Sequence, residues 1–324
     1  MKAAVVTPNG VEIQDVAAPK PQPSQVLVRV RACGLNRADL AVAAGKAHGA
    51  VGGAGTIVGM EFAGEVAEVG SEVRNVKVGD RVMCSGAAGY AEYAVADWGR
   101  AQVLPPGMGF EDAATLPVAL QTMHNALVTA GGLKKGESVL IQGASSGVGI
   151  LGLQIAKFMG ASLVIGSSTN AARRAKLKDW GADMAIDTAN EGWAEEVIAA
   201  TDGKGVHLIV DQVSASVANA NMNAARVLGR IVNVGRLGGF KGEFNYDLHA
   251  MKRISYIGVT FRTRSVEEVR EINRLMRADL WDAAAAGKLK LPIDRTFALA
   301  QVVEALAYMK ANKHFGKIVL KVQP

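Results

Sequence analysis

One segment near the middle of the chain constrains the fold more than any other. An apolar strand pattern at 138–142 runs directly into the turn Gly143-Ala-Ser-Ser-Gly-Val-Gly149, and an apolar helical pattern follows. A glycine-rich string alone is also typical of an ordinary tight turn, but the order strand, turn and helix is typical of a phosphate-binding βαβ unit. Backbone N–H groups and the start of the helix then face a pyrophosphate. The segment therefore predicts a dinucleotide site.

The turn itself supplies the first candidate cofactor contacts. Gly149 permits close packing of the helix on the strand, and the small side chain of Ser146 carries a hydroxyl that is a candidate phosphate donor. The expected contacts within the turn are Gly143, Ser145, Ser146, Gly147, Val148 and Gly149.

The residues around this turn, 119–258, alternate between strand and helix patterns. Three of the helical patterns end at Gly160, Gly181 and Gly229, and glycine is the usual residue just after a helix. Alternation of this kind predicts an α/β domain with a doubly wound parallel sheet, the Rossmann arrangement. The strand patterns lie at 138–142, 162–166, 184–187, 206–210, 230–235 and 254–259.

The two ends of the chain have a different character. Residues 1–118 are rich in valine, glycine and short alternating runs, which predict β-strands joined by tight turns. Residues 259–324 contain a helical pattern and finish in the strand pattern Lys-Ile-Val-Leu-Lys-Val. That last strand needs a partner, and the β-rich first part is the natural one. We therefore expect one β-rich domain from 1–118 and 259–324, with the Rossmann domain at 119–258 inserted between them.

The residues after the second strand of the Rossmann pattern bear on the choice of cofactor. An NAD site usually has an acidic residue there to bind the ribose hydroxyls. No acidic residue occurs from Ile150 through Lys178. The region instead carries hydroxyl and guanidinium groups, which suit a phosphate, although two arginines are also typical of a solvated helix face. We expect NADP(H), with contacts from Ser167, Ser168 and Arg173, beside Arg174.

Composition narrows the class of partner. The length of 324 residues suits two domains, and the net charge of +6 is dispersed, so nucleic acid is not favoured as a partner. No apolar run approaches the roughly 20 residues that span a bilayer, and the first residues do not resemble a signal peptide. Cys33 and Cys84 are too few for a disulfide framework. We expect a cytoplasmic protein with a small-molecule substrate.

A rival family also uses a Gly-Ala-Ser-Ser-Gly turn. The short-chain dehydrogenases resemble the segment locally, but they place it near the N-terminus and rely on a Tyr-x-x-x-Lys pair. Here the turn begins at Gly143, and no tyrosine is followed four positions later by lysine. This rival is set aside.

Over nearly its whole length the chain resembles the medium-chain dehydrogenase/reductase superfamily, and within it the quinone oxidoreductase branch that includes zeta-crystallin. The resemblance implies a GroES-like catalytic domain joined to the Rossmann domain. The motifs that carry it are Cys33-Gly-Leu-Asn-Arg-Ala-Asp39, Gly59-Met-Glu-Phe-Ala-Gly-Glu-Val66, Val78-Gly-Asp-Arg-Val82, Gly143-Ala-Ser-Ser-Gly-Val-Gly149 and Gly316-Lys-Ile-Val-Leu320.

The resemblance also bears on metal. Zinc-dependent members carry cysteine where Asn36 stands and histidine where Met60 stands, and an amide and a thioether are poor zinc ligands beside thiolate and imidazole. Those members have a four-cysteine lobe after the position of Cys84, where this chain has no further cysteine. We therefore expect a zinc-independent enzyme.

The same resemblance implies roles for single residues. Asn36 would hydrogen-bond the reacting oxygen near the nicotinamide, Asp39 would orient its neighbours, and Thr122 would lie under the nicotinamide, although each also has a purely structural interpretation. Lys317 is interpreted as structural. Residues implied to border the cofactor are Val234, Gly235, Arg236, Phe261 and Arg262.

Two segments depart from the family pattern. The tyrosine that often follows the Asn-x-x-Asp motif is missing from the segment ending in His48, and the usual Leu-Thr-Ala-Trp segment reads Leu-Gln-Thr-Met-His and ends at His124. The two histidines are candidate proton donors, although a lone histidine is more often a surface or packed residue. The proton donor is left open.

Three functions follow as expectations. The first is hydride transfer from NADPH to a quinone, an enone or another activated alkene. The second is reduction of an enoyl thioester, and the third is NADPH binding with little catalysis in a structural or nucleic-acid-binding role. The apolar strand at 254–259 ends the Rossmann pattern as an exposed edge, and family members pair this edge, so we expect a homodimer.

Overall fold

The structure is a computed structural model that describes residues 1–49 and 51–322. The chain divides into two compact units, one formed by Met1–Val118 with Phe261–Pro324 and the other by Ala119–Thr260.

The N-terminal part of the first unit is mostly β-structure. The short helices α1 and α2 interrupt the strands, and a 3-10 turn lies at Trp98–Arg100. The elements are β1 (Lys2–Thr7), β2 (Gly10–Asp15), β3 (Gln25–Gly34), α1 (Asp39–Ala43), β4 (Glu61–Val69), β5 (Arg81–Ser85), β6 (Tyr93–Asp97), β7 (Ala101–Val103) and α2 (Phe110–Ala113).

The second unit alternates helices and strands. Helix α3 begins at the last two residues of the first segment, 117 and 118, and runs on into a π-helical turn at Asn125–Thr129. 3-10 turns lie at Leu177–Trp180 and Ala215–Val217. The elements are α3 (Pro117–His124), β8 (Ser138–Ile141), α4 (Gly147–Phe158), β9 (Leu163–Ser167), α5 (Ala171–Lys176), β10 (Met184–Ile186), α6 (Trp193–Ala199), β11 (Val206–Asp211), α7 (Ala218–Ala224), β12 (Ala225–Asn233), α8 (Tyr246–Lys252) and β13 (Ser255–Gly258).

These strands form one six-stranded sheet in the order β10-β9-β8-β11-β12-β13, and every neighbouring pair is parallel. The expected doubly wound parallel sheet is confirmed. Strand β8 leads into the glycine-rich turn, and the strand order reverses beside it, so the carboxyl ends of β8, β9 and β11 surround the turn. This is where open α/β sheets bind their ligands.

One boundary in this unit differs from expectation. Gly229 does not end a helix: α7 stops at Ala224, and β12 has already begun at Ala225. The pairing of Val206 with Ala225, followed by a register shift, draws these residues into the sheet. Tertiary pairing therefore outweighs the local helical pattern. Gly181 does follow a helical turn, with a φ of +104°.

The C-terminal part completes the first unit. A long helix begins at a capping box formed by Ser265 and Glu268, and a 3-10 turn lies at Leu299–Gln301. The elements are α9 (Val266–Ala285), β14 (Ile293–Ala298), α10 (Val302–Lys310) and β15 (Lys317–Lys321).

Strand β15 pairs antiparallel with the end of β3 and parallel with β14. The expected pairing of the terminal strand with the β-rich first part is confirmed. The sheet has the order β14-β15-β3-β4-β5-β7, β6 also pairs with β3, and β1 and β2 form a separate hairpin. The unit matches the expected GroES-like, β-rich domain. Among the described residues, no helix has the length and apolarity needed to cross a membrane.

Candidate functional site

The glycine-rich turn has the geometry of a phosphate-binding loop. Gly143 has a φ of +68°, a conformation that favours glycine. A Cβ atom on Gly149 would lie 2.6 Å from the Gly143 carbonyl oxygen, so only glycine permits this approach of α4 to the turn. The backbone N–H groups at the start of α4 are thereby directed toward the end of the sheet, which is the requirement for holding a pyrophosphate.

Side chains beneath the turn hold its shape. The Gln212 amide nitrogen donates to the carbonyl oxygens of Gln142 and Gly143 at 3.0 and 3.3 Å. Its oxygen accepts from the Ser146 hydroxyl at 3.2 Å, and that hydroxyl also accepts from the Gly149 N–H at 3.0 Å as the N-cap of α4. The Ser146 hydroxyl, a candidate phosphate donor, therefore both donates and accepts hydrogen bonds within the protein.

The two serines at the end of β9 lie in different surroundings. Ser167 is 1% exposed, and its hydroxyl donates to Gln142 Oε1 at 2.6 Å and accepts from the Gly143 N–H at 3.0 Å. It therefore braces the glycine-rich turn. The Ser168 hydroxyl lies 3.2 Å from the Ser145 hydroxyl, which links the end of β9 to the turn.

The arginines of α5 also differ. Arg174 donates through Nη1 to the Ser168 carbonyl oxygen and to Asp187 Oδ2, both at 2.8 Å. Arg173 lies in the first turn of the helix and is half-buried. Residues 150–178 contain no acidic side chain, but Asp187, which directly follows the neighbouring strand β10, lies beside the end of β9.

A buried polar network continues behind the turn along β11. Asp211 is fully buried and accepts from the backbone N–H groups of Val213 and Ser214 and from the Asn221 amide. Burial raises the pKa of this carboxyl above its usual range. The Asn221 oxygen in turn accepts from the Gln142 amide at 2.7 Å. The network fixes the end of β11 relative to β8.

The remaining residues expected at the cofactor fall in two places. The backbone N–H groups of Val234 and Gly235 both donate to the Asp211 carbonyl oxygen, at 2.8 and 3.1 Å, so this segment lies at the carboxyl end of β11, and Arg236 follows it. Phe261 and Arg262 belong to the other unit.

The first unit contains a buried ionic cluster around Asn36, in the loop between β3 and α1. The Asn36 amide nitrogen donates to Glu61 Oε1 at 2.8 Å, and its oxygen accepts from Lys317 Nζ at 3.1 Å. Lys317 and Glu61 form an ion pair at 2.5 Å, with side chains 3% and 0% exposed. An ammonium only donates and a carboxylate only accepts, so the pair fixes which way the amide faces.

Backbone groups bind and pack against the same cluster. Glu61 Oε2 accepts from the Val118 N–H at 2.8 Å, and Lys317 also donates to the Leu35 carbonyl oxygen at 2.7 Å. A Cβ atom on Gly34 would lie 2.3 Å from the Ala114 carbonyl oxygen and 2.6 Å from Glu61 Oε1. Only glycine allows β3 to approach the carboxylate this closely.

Asp39 adds a second buried carboxyl beside the ion pair. Its Oδ2 accepts from the Asn36 N–H at 2.8 Å and from the Tyr90 hydroxyl at 2.6 Å. Burial is the largest influence on this group and raises its pKa to about 7, against the lowering effect of the Tyr90 and Asn36 hydrogen bonds. Asp39 therefore orients the loop that carries Asn36, and it titrates near neutral pH.

The other candidates for catalysis are Thr122, His124 and His48. Thr122 is half-buried in α3, and His124, at the end of that helix, is fully buried. His48 is half-buried and pairs through its backbone with Val51.

The donor set near Asn36 does not fit zinc. Asn36 and Met60 offer an amide and a thioether, which bind zinc poorly. The nearby Cys33 thiol donates to the Gly89 carbonyl oxygen at 2.8 Å, and burial raises its pKa well above the usual range, so it is not a thiolate. Across residues 1–49 and 51–322, no group of three or more histidine, cysteine or acidic side chains could hold a metal ion.

Several side chains of these two sites were not identified from the sequence. The sequence patterns assign no role to Glu61 or Tyr90, and they indicate only a structural role for Lys317. A lysine and a glutamate at strand starts inside otherwise apolar motifs are the signal that could have found the ion pair, because charges are rarely buried unless they are paired. The others missed are Gln142, Asp187, Asp211 and Gln212.

Two family models match the chain. The model described as alcohol dehydrogenase GroES-like domain matches residues 22–109, and the one described as zinc-binding dehydrogenase matches residues 147–278.

Two curated relatives that match this chain are longer than it is. A synaptic vesicle membrane protein VAT-1 homolog from Danio rerio is 30% identical over an alignment of 317 residues that covers 93% of this chain and 64% of that protein. A highly reducing polyketide synthase from Emericella nidulans is 27% identical over 95% of this chain, and the match spans 12% of its own length.

Solved structures match along the whole chain. A quinone oxidoreductase from Pseudomonas syringae pv. Tomato DC3000 superimposes with a TM-score of 0.87 at 29% identity and covers 99% of this chain and 100% of its own. CurK enoyl reductase also reaches a TM-score of 0.87, at 25% identity over 99% of both chains.

Proposed function

The chain belongs to the medium-chain dehydrogenase/reductase superfamily as an oxidoreductase, and from this premise we propose that it transfers hydride from NADPH to a quinone, an enone or another activated alkene without a metal ion. The observation that carries the proposal is the amide at Asn36, oriented by the Lys317–Glu61 ion pair where zinc-dependent members have a metal ligand. The likeness to quinone oxidoreductases supports this substrate class.

The residues around Asn36 suit the stabilisation of a developing oxyanion. The side-chain oxygen is bound by Lys317 and one amide hydrogen by Glu61, so the second hydrogen of Nδ2 is the donor that remains. Asn36 is 8% exposed, and a fixed donor in such a dry position stabilises negative charge more strongly than the same donor in water. We assign Asn36 this role, with Asp39 and Tyr90 holding its loop.

The second unit supplies the residues that would hold the cofactor. NADPH, when bound, supplies the hydride. The turn from Gly143 to Gly149 would hold the pyrophosphate, and Ser168, Arg173 and Arg174 lie where the phosphate on the adenosine ribose is expected. The positive charges of the two arginines favour NADPH over NADH.

Turnover with three substrate classes tests the proposal. NADPH oxidation would be followed with a small quinone, an enone and an enoyl thioester, and zinc would be measured by elemental analysis of the purified protein. We expect turnover with the quinone or the enone, no stoichiometric zinc, and no loss of activity with chelator. Turnover that requires stoichiometric zinc would contradict the proposal.

A second candidate is reduction of an enoyl thioester. The likeness to CurK enoyl reductase and the match to a highly reducing polyketide synthase favour it. This reaction needs a proton at the α-carbon of the substrate. A higher kcat/KM for the enoyl thioester than for any quinone would make it the leading function.

The third expectation, NADPH binding with little catalysis, is separated by the same assay. It would be favoured by submicromolar NADPH binding with no turnover of any substrate class.

A further inference from the structure

The end of strand β10 lies beside the expected ribose site. Ile186 pairs with Ser167 in the parallel register of β9 and β10, and the Ser168 N–H donates to the Ile186 carbonyl oxygen at 3.1 Å. The next residue is Asp187. Its carboxylate therefore stands at the carboxyl end of β9, the place where a doubly wound sheet holds the adenosine ribose of a dinucleotide.

Asp187 is already bound to one of the two arginines there. Its Oδ2 accepts from Arg174 Nη1 at 2.8 Å, and the two side chains are 18% and 24% exposed. Pairs that are partly buried are screened less by salt than exposed ones. The same guanidinium nitrogen also donates to the Ser168 carbonyl oxygen, which keeps Arg174 over the end of β9.

We propose that Asp187 sets the cofactor preference through Arg174. In the free protein its carboxylate neutralises this guanidinium, so the 2′-phosphate of NADPH has to compete with Asp187 for it. Asp187 is thus a specificity-determining residue that lowers the advantage of NADPH over NADH. The inference rests on the proposed NADPH dependence.

Local geometry provides a conservative variant. Asp187 Oδ1 accepts from the Ala189 N–H at 3.0 Å and so forms the turn after β10. Asp187→Asn keeps an oxygen for this turn and removes the negative charge that binds Arg174. A change in cofactor affinity then reports on the charge, and unfolding midpoints of wild type and variant check that the turn is intact.

The test is titration of NADPH and of NADH by fluorescence in the absence of substrate. Because a charged hydrogen bond to phosphate is worth about tenfold or more in affinity, Asp187→Asn is expected to tighten NADPH binding by about tenfold and to change NADH binding by less than about twofold. Unchanged NADPH affinity would overturn the proposal. Weaker NADH binding without tighter NADPH binding would also overturn it, because Asp187 would then bind the ribose directly.

A double-mutant cycle assigns the effect to Arg174. Arg174→Met should abolish the gain from Asp187→Asn, whereas Lys176→Met, which removes an exposed charge from the same helix, should leave the gain intact. A gain that persists without Arg174 contradicts the proposal. Because cofactor binding is measured without substrate, failure to reduce quinones would not affect the test of Asp187. Equal affinities of the wild type for NADPH and NADH would contradict only the proposed preference for NADPH.

Discussion

At the scale of single residues, Asn36 is the group on which the proposed chemistry depends. Its amide oxygen accepts from the Lys317 ammonium, which only donates, and its amide nitrogen donates to the Glu61 carboxylate, which only accepts. Such an arrangement costs desolvation of both charges and is strongly destabilised when one partner is removed. Asn36 can be changed without removing either charge, so it is the better target for testing catalysis.

Replacement of Asn36 tests its role as an oxyanion donor. Asn36→Ala is expected to lower single-turnover NADPH oxidation by a small quinone by about tenfold, at the lower end of the effect of losing such a donor, with little change in NADPH affinity. Asn36→Asp should be more severe, since it adds a carboxylate beside Glu61. Asp39→Asn should be milder, because Asp39 acts through orientation. A full rate in Asn36→Ala would assign the donor elsewhere, with Thr122 and His48 the next candidates.

The raised pKa of Asp39 predicts that the stability of the protein depends on pH. Its folded pKa of about 7 lies above the unfolded value, so the folded state retains this proton while the unfolded state loses it. The stabilising contribution of Asp39 to the free energy of unfolding is fully present below about pH 4 and is lost as pH rises to about 7. The free energy of unfolding is expected to fall by about 4 kcal/mol over this range.

Urea unfolding between about pH 4.5 and 8 measures this contribution. Relative to wild type, Asp39→Asn should gain stability as pH rises from about 4.5 to about 7, and the difference should then level off, because the variant has no charge to bury. The hydrogen bonds from Asn36 and Tyr90 can still be accepted by the remaining amide oxygen. Parallel stability curves for the two proteins would show that Asp39 does not titrate in this range.

At the scale of elements, the glycine-rich turn depends on β11. Gln212, which follows that strand, ties two carbonyl oxygens of the turn to the N-cap of α4. The turn therefore holds its conformation through a side chain from another strand as well as through its glycines.

Gln212→Met should loosen the turn without a change of charge. We expect weaker binding of NADPH and NADH alike, by about tenfold, from the loss of two or three hydrogen bonds worth roughly 0.5–1.5 kcal/mol each. Gln154→Met is the matched control, since the Gln154 amide bonds the Ile150 carbonyl oxygen within α4. Equal cofactor affinities in the two variants would show that the tie from β11 is not needed.

At the scale of the whole molecule, β13 is an open edge of the six-stranded sheet. It pairs on one side with β12, and the described residues place no strand on its other side. Half-buried Tyr256 and Ile257 lie on this edge. An edge of this kind favours pairing with a second copy.

We predict a homodimer formed across β13. Light scattering at micromolar concentration should give twice the chain mass, and Ser255→Lys should shift the protein toward monomer because charged side chains discourage edge pairing. Ala199→Lys, on the exposed end of α6, adds the same charge away from the edge and should leave the dimer intact. A wild-type monomer under these conditions would refute the prediction.

The architecture of this protein could be predicted from local patterns in its sequence. The sequence from 138 to 149 indicates the glycine-rich turn, and the alternation of strand and helix patterns indicates the parallel sheet. Both features depend on residues that are close together in the chain. The end of α7 was misplaced at Gly229, since the pairing of β12 with β11 decides it. Residue-type preferences within one segment carry no information on such pairing.

Which side chains meet, in contrast, depends on how the strands are arranged in space. Lys317 and Glu61 are 256 positions apart and come together because β15 pairs with β3, which pairs with β4. Asp187 reaches Arg174 because β10 lies beside β9. A search for acidic residues along β9 and α5 alone could not find it. The physical reason is that contact between distant residues depends on strand order and register, which no local pattern specifies.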